Sequence, residues 1–408
     1  MRAFPRSMVF AIGDVSRDVS PDPSHSGSQM LNRQSRSLIR PLYVRRSVAA
    51  AVLCTVGACA RTSQSAGDTT LARADTVMRA DSLGAMSGAA APSLEQKKVL
   101  DELGALGGQP IESLTPEEAR KQPSPADAVK RILEKSETSV APEAVGRVAN
   151  RTISGPGGDI PVRIYTPRGA GPFPVIVYFH GGGFVIATMD TYDASARALA
   201  NAANAVVMSV EYRKAPEHKF PAAHDDAFAA YAWAVRNASQ IGGDSTRLAL
   251  VGESAGGNLA MATAMRVRDS SGFRAPLSIV AVYPVVGSDT TNASYTRNAQ
   301  AKPLNRAMMG WFFKQYTRSP ADASDPRLNI LGANLKGLPP VTIVSAEIDP
   351  LLTEGEQLAE KLRDAGGTVN QRTWRGAAHE FFGQGAVVPA AKEAVQYAAD
   401  ALKAGFRK

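Results

Sequence analysis

From about residue 147 onward, short apolar runs alternate with segments that have helical character. The runs are nearly all apolar, which is typical of parallel strands buried on both faces. Alanine-rich segments at 191–203 and 222–237 are suited to helices between such strands. Strands that alternate with helices predict an α/β fold with a mostly parallel sheet. The six apolar runs are residues 175–179, 205–212, 248–252, 278–283, 341–346 and 369–374.

Upstream of these runs, the pattern predicts a hairpin preceded by short helices. Residues 147–153 and 160–165 flank a glycine-rich stretch at 154–159, which is typical of two antiparallel strands joined by a turn. Three helix-start patterns come earlier, and the last two place a proline at the first helical position. These patterns pair Ser93 with Gln96, Thr115 with Glu118, and Ser124 with Asp127.

The N-terminal segment has the features of an export signal. Arg45 and Arg46 precede a short apolar run that ends at Cys59, and this run is too short to span a bilayer, which needs about 18 apolar residues or more. Its last four residues, Val-Gly-Ala-Cys at 56–59, resemble a bacterial lipobox, in which the cysteine is acylated. Cleavage of an ordinary signal peptide after Ala60 is the alternative.

We therefore expect a leader at 1–58, a flexible tether at 59–92 and one folded domain at 93–408. The tether is rich in small and polar residues and poor in large apolar ones. The lipobox resemblance implies an exported protein that is anchored to the cell envelope by a lipid on Cys59. Without the lipid, the protein would be periplasmic or secreted.

The charge of the chain reflects this leader more than it indicates an anionic partner. The formal net charge is +8, and residues 1–58 hold eight arginines and three aspartates, which leaves +3 for the other residues. No basic run is interleaved with aromatic residues, so the sequence does not support nucleic-acid binding. Both cysteines, Cys54 and Cys59, lie at the N-terminal end, which excludes cysteine catalysis, zinc fingers and a disulfide scaffold.

A candidate nucleophile lies at the end of the third apolar run. Residues 252–256 read Gly-Glu-Ser-Ala-Gly, between a predicted strand and the predicted helix that continues from Asn258. A Gly-x-Ser-x-Gly sequence in a strand–turn–helix setting exposes its serine, here Ser254, at a strained turn. The alternative is a glycine-rich turn that contains a serine by coincidence.

A second glycine motif predicts an oxyanion hole. His180 and the three glycines after it directly follow the first apolar run, and the motif is specific because the chain has only five histidines. Consecutive glycines allow backbone N–H groups to point at a developing oxyanion. We expect the N–H groups of Gly181, Gly182 and Ala255 to form the hole, with His180 orienting the loop. A phosphate cradle is the alternative, but no Lys-Ser/Thr follows the glycines.

A serine nucleophile needs a base, and that base needs an acid to fix its tautomer. His379 follows the last apolar run, and Asp349 ends the run before it. The chain order Ser254, Asp349, His379 is the order found in α/β-hydrolases. Each residue alone has another explanation, since Asp349-Pro350 is a common helix start and His379 could be a core residue. Their joint placement after strands predicts a catalytic triad.

These motifs resemble the bacterial hormone-sensitive-lipase-like family of α/β-hydrolases, the branch that includes acetyl esterases. The resemblance covers about residues 93–408. It also includes Tyr-Arg-x-Ala-Pro-Glu at 212–217, Asp-Pro-Arg at 325–327, Asp-Pro-Leu at 349–351 and His-Glu-Phe-Phe at 379–382.

The resemblance implies an α/β-hydrolase fold with a helical cap formed by about 93–145 and 287–336. It implies hydrolysis of small carboxylic esters with short to medium acyl chains, without metal or cofactor. Ser254 would be the nucleophile, His379 the general base and then acid, and Asp349 the residue that orients it. A lipase or amide hydrolase on the same triad, or a non-catalytic ligand-binding relative, are the alternatives. Nothing in the sequence indicates the oligomeric state.

The sequence departs from the family pattern at two sites. Glu253 stands where the family commonly has aspartate, and Leu352-Thr353 stands where it commonly has an Arg-Asp pair. We expect Glu253, Glu217 and Arg213 to belong to structural ion pairs.

The predicted helix at 304–316 carries an apolar stripe of Met308, Trp311 and Phe312. The stripe either covers an acyl pocket or is plain packing.

Overall fold

The computed structural model of the protein describes residues 90–407. The leader at 1–58, Cys59 and nearly all of the tether at 59–92 lie outside the described residues, so the export and lipidation hypotheses stay predictions. In the described part of the chain, no helix is both long and apolar enough to cross a membrane.

The elements follow the predicted alternation of strands and helices. Three helices come first: α1 (Leu94–Ala105), α2 (Pro116–Ala119) and α3 (Pro125–Lys135). The strands are β1 (Arg147–Gly155), β2 (Gly158–Thr166), β3 (Phe173–Phe179), β4 (Val206–Val210), β5 (Gly243–Glu253), β6 (Ile279–Val282), β7 (Val341–Ile348) and β8 (Val369–Ala378). The later helices are α4 (Asp193–Ala203), α5 (Ala222–Asn237), α6 (Ala255–Arg268), α7 (Ala293–Arg297), α8 (Arg306–Tyr316), α9 (Leu352–Asp364) and α10 (Pro389–Phe406).

The eight strands form one sheet in the order β1-β2-β4-β3-β5-β6-β7-β8. β1 and β2 are antiparallel and close around a pairing of Gly155 with Gly158, which confirms the predicted hairpin. β2 is also antiparallel to β4, and every other neighbouring pair is parallel. Because strands β3 to β8 run in one direction, their carboxyl ends meet at one edge of the sheet, and the predicted mostly parallel α/β class is confirmed.

The helix starts show which capping signals form complete capping boxes. Thr115 and Ser124 each accept a hydrogen bond on the side-chain oxygen from the backbone N–H three residues later, and each donates its own backbone N–H to the carboxylate of that residue. Ser93 caps α1 through the N–H of Gln96, but its own N–H donates to the carbonyl of Gly376. The Gln96 side chain instead reaches Gln384, so α1 is fixed to the region around β8.

Apolar side chains cover both faces of the sheet. One core cluster includes Val175, Leu250 and Ile343 with helices α5 and α6, and the other includes Ile176 and Val251 with helices α4 and α10. Alternate residues of a strand point to opposite faces, so strands that are apolar throughout suit a sheet covered on both sides. This packing fixes the strand ends that carry the chemistry.

Candidate active site

Ser254 lies in the strained turn between β5 and α6. Its φ and ψ are 55° and −117°, a backbone conformation that residues other than glycine rarely adopt. The two flanking glycines make this turn possible. A Cβ atom on Gly252 would lie 2.0 Å from the carbonyl oxygen of Gly256, and one on Gly256 would lie 2.0 Å from that of Phe179. The Ser254 N–H donates to the carbonyl of Val282 at 2.9 Å, which ties the turn to the end of β6.

The structure brings the three predicted triad residues together. His379 Nε2 lies 3.0 Å from Ser254 Oγ, and His379 Nδ1 lies 2.6 Å from Asp349 Oδ2. Asp349 directly follows β7 and His379 directly follows β8, so neighbouring strand ends supply the acid and the base. The N–H of Leu351 donates to Asp349 Oδ1 at 2.8 Å, which fixes the carboxylate. All three side chains are buried.

The surroundings of His379 favour its protonated form. Burial opposes the positive charge, but the Asp349 carboxylate and its hydrogen bond outweigh burial and raise the pKa of His379 above its ordinary value. The carboxyls of Glu380 and Glu253 act in the same direction. An imidazolium formed during a reaction would therefore be stabilised at this position.

The predicted oxyanion loop is held from behind. Tyr212 Oη lies 2.8 Å from the carbonyl oxygen of His180, to which it donates, and 3.2 Å from that of Gly181. Gly182 has a φ of 96°, which favours glycine. Within residues 90–407, the N–H groups of Gly181, Gly182 and Ala255 donate to no protein acceptor. The three predicted donors are therefore free to bind an oxyanion.

His180 lies behind the loop and contacts it directly. Its ring stacks on Tyr212 with centroids 4.4 Å apart, and its Nδ1 lies 2.8 Å from the carbonyl oxygen of Gly181. Burial lowers the pKa of His180 to about 4, so the ring is neutral near pH 7. These contacts support the predicted orienting role.

A cavity of about 440 Å³ opens above Ser254 and His379. Met308 and Phe312 of α8 line it, whereas Trp311 donates from Nε1 to the carbonyl of Leu114 at 3.1 Å. Both predicted roles of the apolar stripe are therefore observed, since Met308 and Phe312 cover the cavity and Trp311 packs against the N-terminal segment. The N-terminal side of the cavity is lined by Leu100, Leu103, Ile111 and Glu112, among others.

Two of the three predicted ion-pair residues form ion pairs. Arg213 pairs with Asp226, and Glu217 pairs with Arg120, each at 2.7 Å. The prediction for Glu253 is wrong. No cation pairs with its carboxylate among the described residues.

Glu253 is fully buried, and it accepts hydrogen bonds from the hydroxyls of Tyr178 and Tyr283. It is the last residue of β5, a strand covered on both faces. There the two tyrosine hydroxyls supply the hydrogen bonds that a cation would otherwise provide. Burial raises its pKa to about 7, although the tyrosine hydrogen bonds oppose this change.

Sequence reasoning missed the residues that hold the acid loop. Asn298, which directly follows α7, donates from Nδ2 to the carbonyl of Asp349 at 2.9 Å, and Ser294 on α7 donates from Oγ to that of Pro350 at 2.6 Å. Ser294 also exchanges hydrogen bonds with Thr353, the position that departs from the family pattern. The Asp349 loop is therefore fixed without the family's Arg-Asp pair. No motif pointed to α7, because these contacts join positions more than 50 residues apart.

No group of three or more His, Cys, Asp or Glu side chains in the described residues is arranged to hold a metal ion.

Comparisons with known proteins agree with this geometry. A family model described as alpha/beta hydrolase fold matches residues 176–383. The chain is 40% identical over 264 residues to carboxylesterase NlhH of Mycobacterium tuberculosis, covering 63% of this chain and 82% of that protein. It is 33% identical over 318 residues to ethyl acetate hydrolase of Pseudomonas putida, covering 76% and 98%.

Solved structures give the same result. A hyperthermophilic esterase from Pyrobaculum calidifontis matches with a TM-score of 0.70 at 36% identity, over 77% of this chain and 98% of that one. A thermostable esterase from Pseudomonas putida matches with a TM-score of 0.71 at 33% identity, over 78% and 99%.

Proposed function

Since the chain belongs to the hormone-sensitive-lipase-like branch of the α/β-hydrolases and is a carboxylic ester hydrolase, we propose that Ser254, His379 and Asp349 are its catalytic triad. The observation that carries the proposal is the position of His379, hydrogen-bonded to Ser254 Oγ through Nε2 and to Asp349 through Nδ1. This arrangement matches the roles of nucleophile, base and orienting acid.

In the acylation step, Ser254 Oγ attacks the ester carbonyl carbon while its proton passes to His379 Nε2. The carbonyl oxygen gains the negative charge and accepts hydrogen bonds from the N–H groups of Gly181, Gly182 and Ala255. When the carbon–oxygen bond to the alcohol breaks, the Nε2 proton goes to the leaving oxygen. The alcohol departs, and the acyl group stays on Ser254.

In the deacylation step, a water molecule attacks the acyl carbon and gives a proton to His379 Nε2. The same three N–H groups bind the second oxyanion. As the bond to Ser254 Oγ breaks, His379 returns the proton to Oγ, and the carboxylic acid is released. Asp349 accepts the hydrogen bond from His379 Nδ1 and stabilises the imidazolium in both steps.

We propose that the acyl chains are short to medium. Apolar side chains of Met308, Phe312 and Leu103 line the cavity above Ser254, which suits an apolar acyl group, and its volume of about 440 Å³ is towards the small end for a ligand pocket. Esters with long acyl chains and amides are the alternatives on the same triad. The same triad would hydrolyse these substrates, so only the measured rates of hydrolysis distinguish them from short-chain esters.

The test is hydrolysis of p-nitrophenyl esters from acetate to palmitate by the wild type and by Ser254→Ala. We expect a maximum at short to medium acyl length and a loss of about 10³-fold or more in kcat for the variant. Circular dichroism of Ser254→Ala checks that it is folded. Absence of turnover by the wild type on every ester, or equal turnover by the variant, contradicts the proposal.

We also propose that the protein is exported and lipid-anchored at Cys59. The lipobox resemblance and the arginine-rich leader support this proposal. Cells that express the full chain and are fed labelled palmitate should label the wild type and not Cys59→Ser. The variant should accumulate as an uncleaved precursor. Equal labelling of the two proteins, or cleavage after Ala60 in both, would exclude the lipid anchor.

A further inference from the structure

Glu380, the residue after His379, lies beside the reacting nitrogen. Its φ of 69° and ψ of 6° place it in the left-handed region, which is uncommon for a residue other than glycine. Its Oε1 lies 3.9 Å from His379 Nε2, the same nitrogen that faces Ser254 Oγ at 3.0 Å. Glu380 also lines the cavity above Ser254. A second carboxylate therefore flanks His379 on the side where protons move.

A hydrogen bond from the oxyanion loop side holds this carboxylate. Tyr192, which precedes α4, donates from its hydroxyl to Glu380 Oε1 at 2.5 Å. The same hydroxyl lies against the oxyanion loop, because a Cβ atom on Gly181 would be 2.2 Å from it. The Gln384 side chain donates to the Glu380 carbonyl at 3.0 Å and fixes the backbone. Tyr192 and Glu380 thus connect the oxyanion loop to the histidine loop.

We propose that Glu380 is a positioning residue that stabilises the imidazolium form of His379 from the Nε2 side, opposite Asp349. The inference rests on the triad mechanism proposed above. Tyr192 holds the carboxylate 3.9 Å from Nε2, beyond hydrogen-bond distance, so Nε2 stays available to Ser254 and to the leaving alcohol. At this distance an opposite charge still favours the charged form of the ring.

The ionisable groups that act on His379 come from several elements. Asp349 follows β7, Glu253 ends β5 and Glu380 follows β8, and all three are acidic. Tyr283, which follows β6, places its ring centroid 4.5 Å from that of His379. Asp349 contributes most of the electrostatic stabilisation, so Glu380 adds a smaller effect that its own substitution isolates.

The test is the pH profile of kcat/KM for p-nitrophenyl acetate, in which the acidic limb reports the base in the free enzyme. Glu380→Gln keeps the size of the side chain and an acceptor for Tyr192 but removes the charge. We expect the acidic limb to move about 0.5 to 1 pH unit lower and kcat on the plateau to fall about 3- to 10-fold. A residue that only connects two loops would lower kcat without moving the limb.

The matched control is Glu360→Gln, an exposed glutamate of α9 that undergoes the same change in charge. Its limb should coincide with that of the wild type. If Glu380→Gln does not fold, Tyr192→Phe carries the test. Without the tyrosine hydroxyl the carboxylate is free to approach Nε2, so the limb should move to higher pH.

An unmoved limb in Glu380→Gln, or in Tyr192→Phe where the first variant does not fold, overturns the inference. The triad proposal survives that result as long as Ser254→Ala is inactive. Turnover by Ser254→Ala would instead overturn the triad proposal.

Discussion

Individual glycines determine whether the active-site turn can form. Gly252 and Gly256 leave no space for a Cβ atom, because backbone oxygens lie 2.0 Å from where it would be. Gly183, the third glycine of the oxyanion motif, has a different role, since its Cβ would lie 2.2 Å from the ring of Phe312 on α8. The first two glycines therefore allow the strained serine, and the third allows α8 to pack over the cavity.

Gly256→Ala should destabilise the protein by about 3 kcal/mol or more and abolish ester hydrolysis, because the new methyl group meets the rigid carbonyl of Phe179. Urea denaturation and p-nitrophenyl acetate assays measure both effects. Gly310→Ala is the matched control. It lies exposed on α8 with no atom within 4 Å of its Cβ, and should gain about 0.5 to 1 kcal/mol. Similar stability for the two variants would contradict this account of the turn.

Most strands and helices could be predicted from the sequence, because each has a local pattern. The apolar run at 248–252 lies within β5, and the alanine-rich segment at 222–237 coincides with α5. The triad was also predictable, since parallel strands bring their carboxyl ends to one edge. β5, however, begins at Gly243, where a shift in register against β3 lets its first residue pair with Phe173. No periodicity reports such an irregularity.

Contacts between distant elements could not be predicted. Tyr192 and Glu380 are 188 residues apart, and Asn298 is 51 residues from Asp349. Glu380 was within a family motif at 379–382, yet only the folded chain shows which side of His379 it occupies. The same limit explains Glu253, because its tyrosine partners come from other elements and its sequence neighbours do not reveal them.

At the scale of the whole folded domain, two sets of buried ionisable groups change its stability with pH in opposite directions. Burial raises the pKa of Glu253 to about 7 and that of Glu354 to about 8, so the folded state keeps protons that the unfolded state loses near pH 4.5. Stability therefore falls as pH rises towards these values. Burial lowers the pKa of His180 and His224 to about 4, so their contribution to stability increases with pH up to about 6.5, their unfolded pKa.

The two effects act against each other between about pH 4.5 and 6.5. Above that range His180 and His224 no longer change the stability, whereas the buried carboxyls continue to lower it as pH rises. We expect the free energy of unfolding to fall by about 2 to 3 kcal/mol from pH 6.5 to 8, at about 1.4 kcal/mol for each pH unit and buried proton. The raised pKa of His379 acts in the same direction.

Glu354→Gln should remove most of this decline. The side chain keeps an oxygen for the N–H groups of Val286 and Gly287, which now donate to the carboxylate at 2.8 and 3.1 Å, but it no longer ionises. Urea denaturation of the wild type and the variant at pH 6.5, 7, 7.5 and 8 measures the slope. Glu360→Gln should keep the slope of the wild type, because that exposed side chain leaves no charge buried. If the free energy of unfolding of the wild type does not change between pH 6.5 and 8, the pKa of Glu354 is not raised in the folded state, and this prediction is wrong.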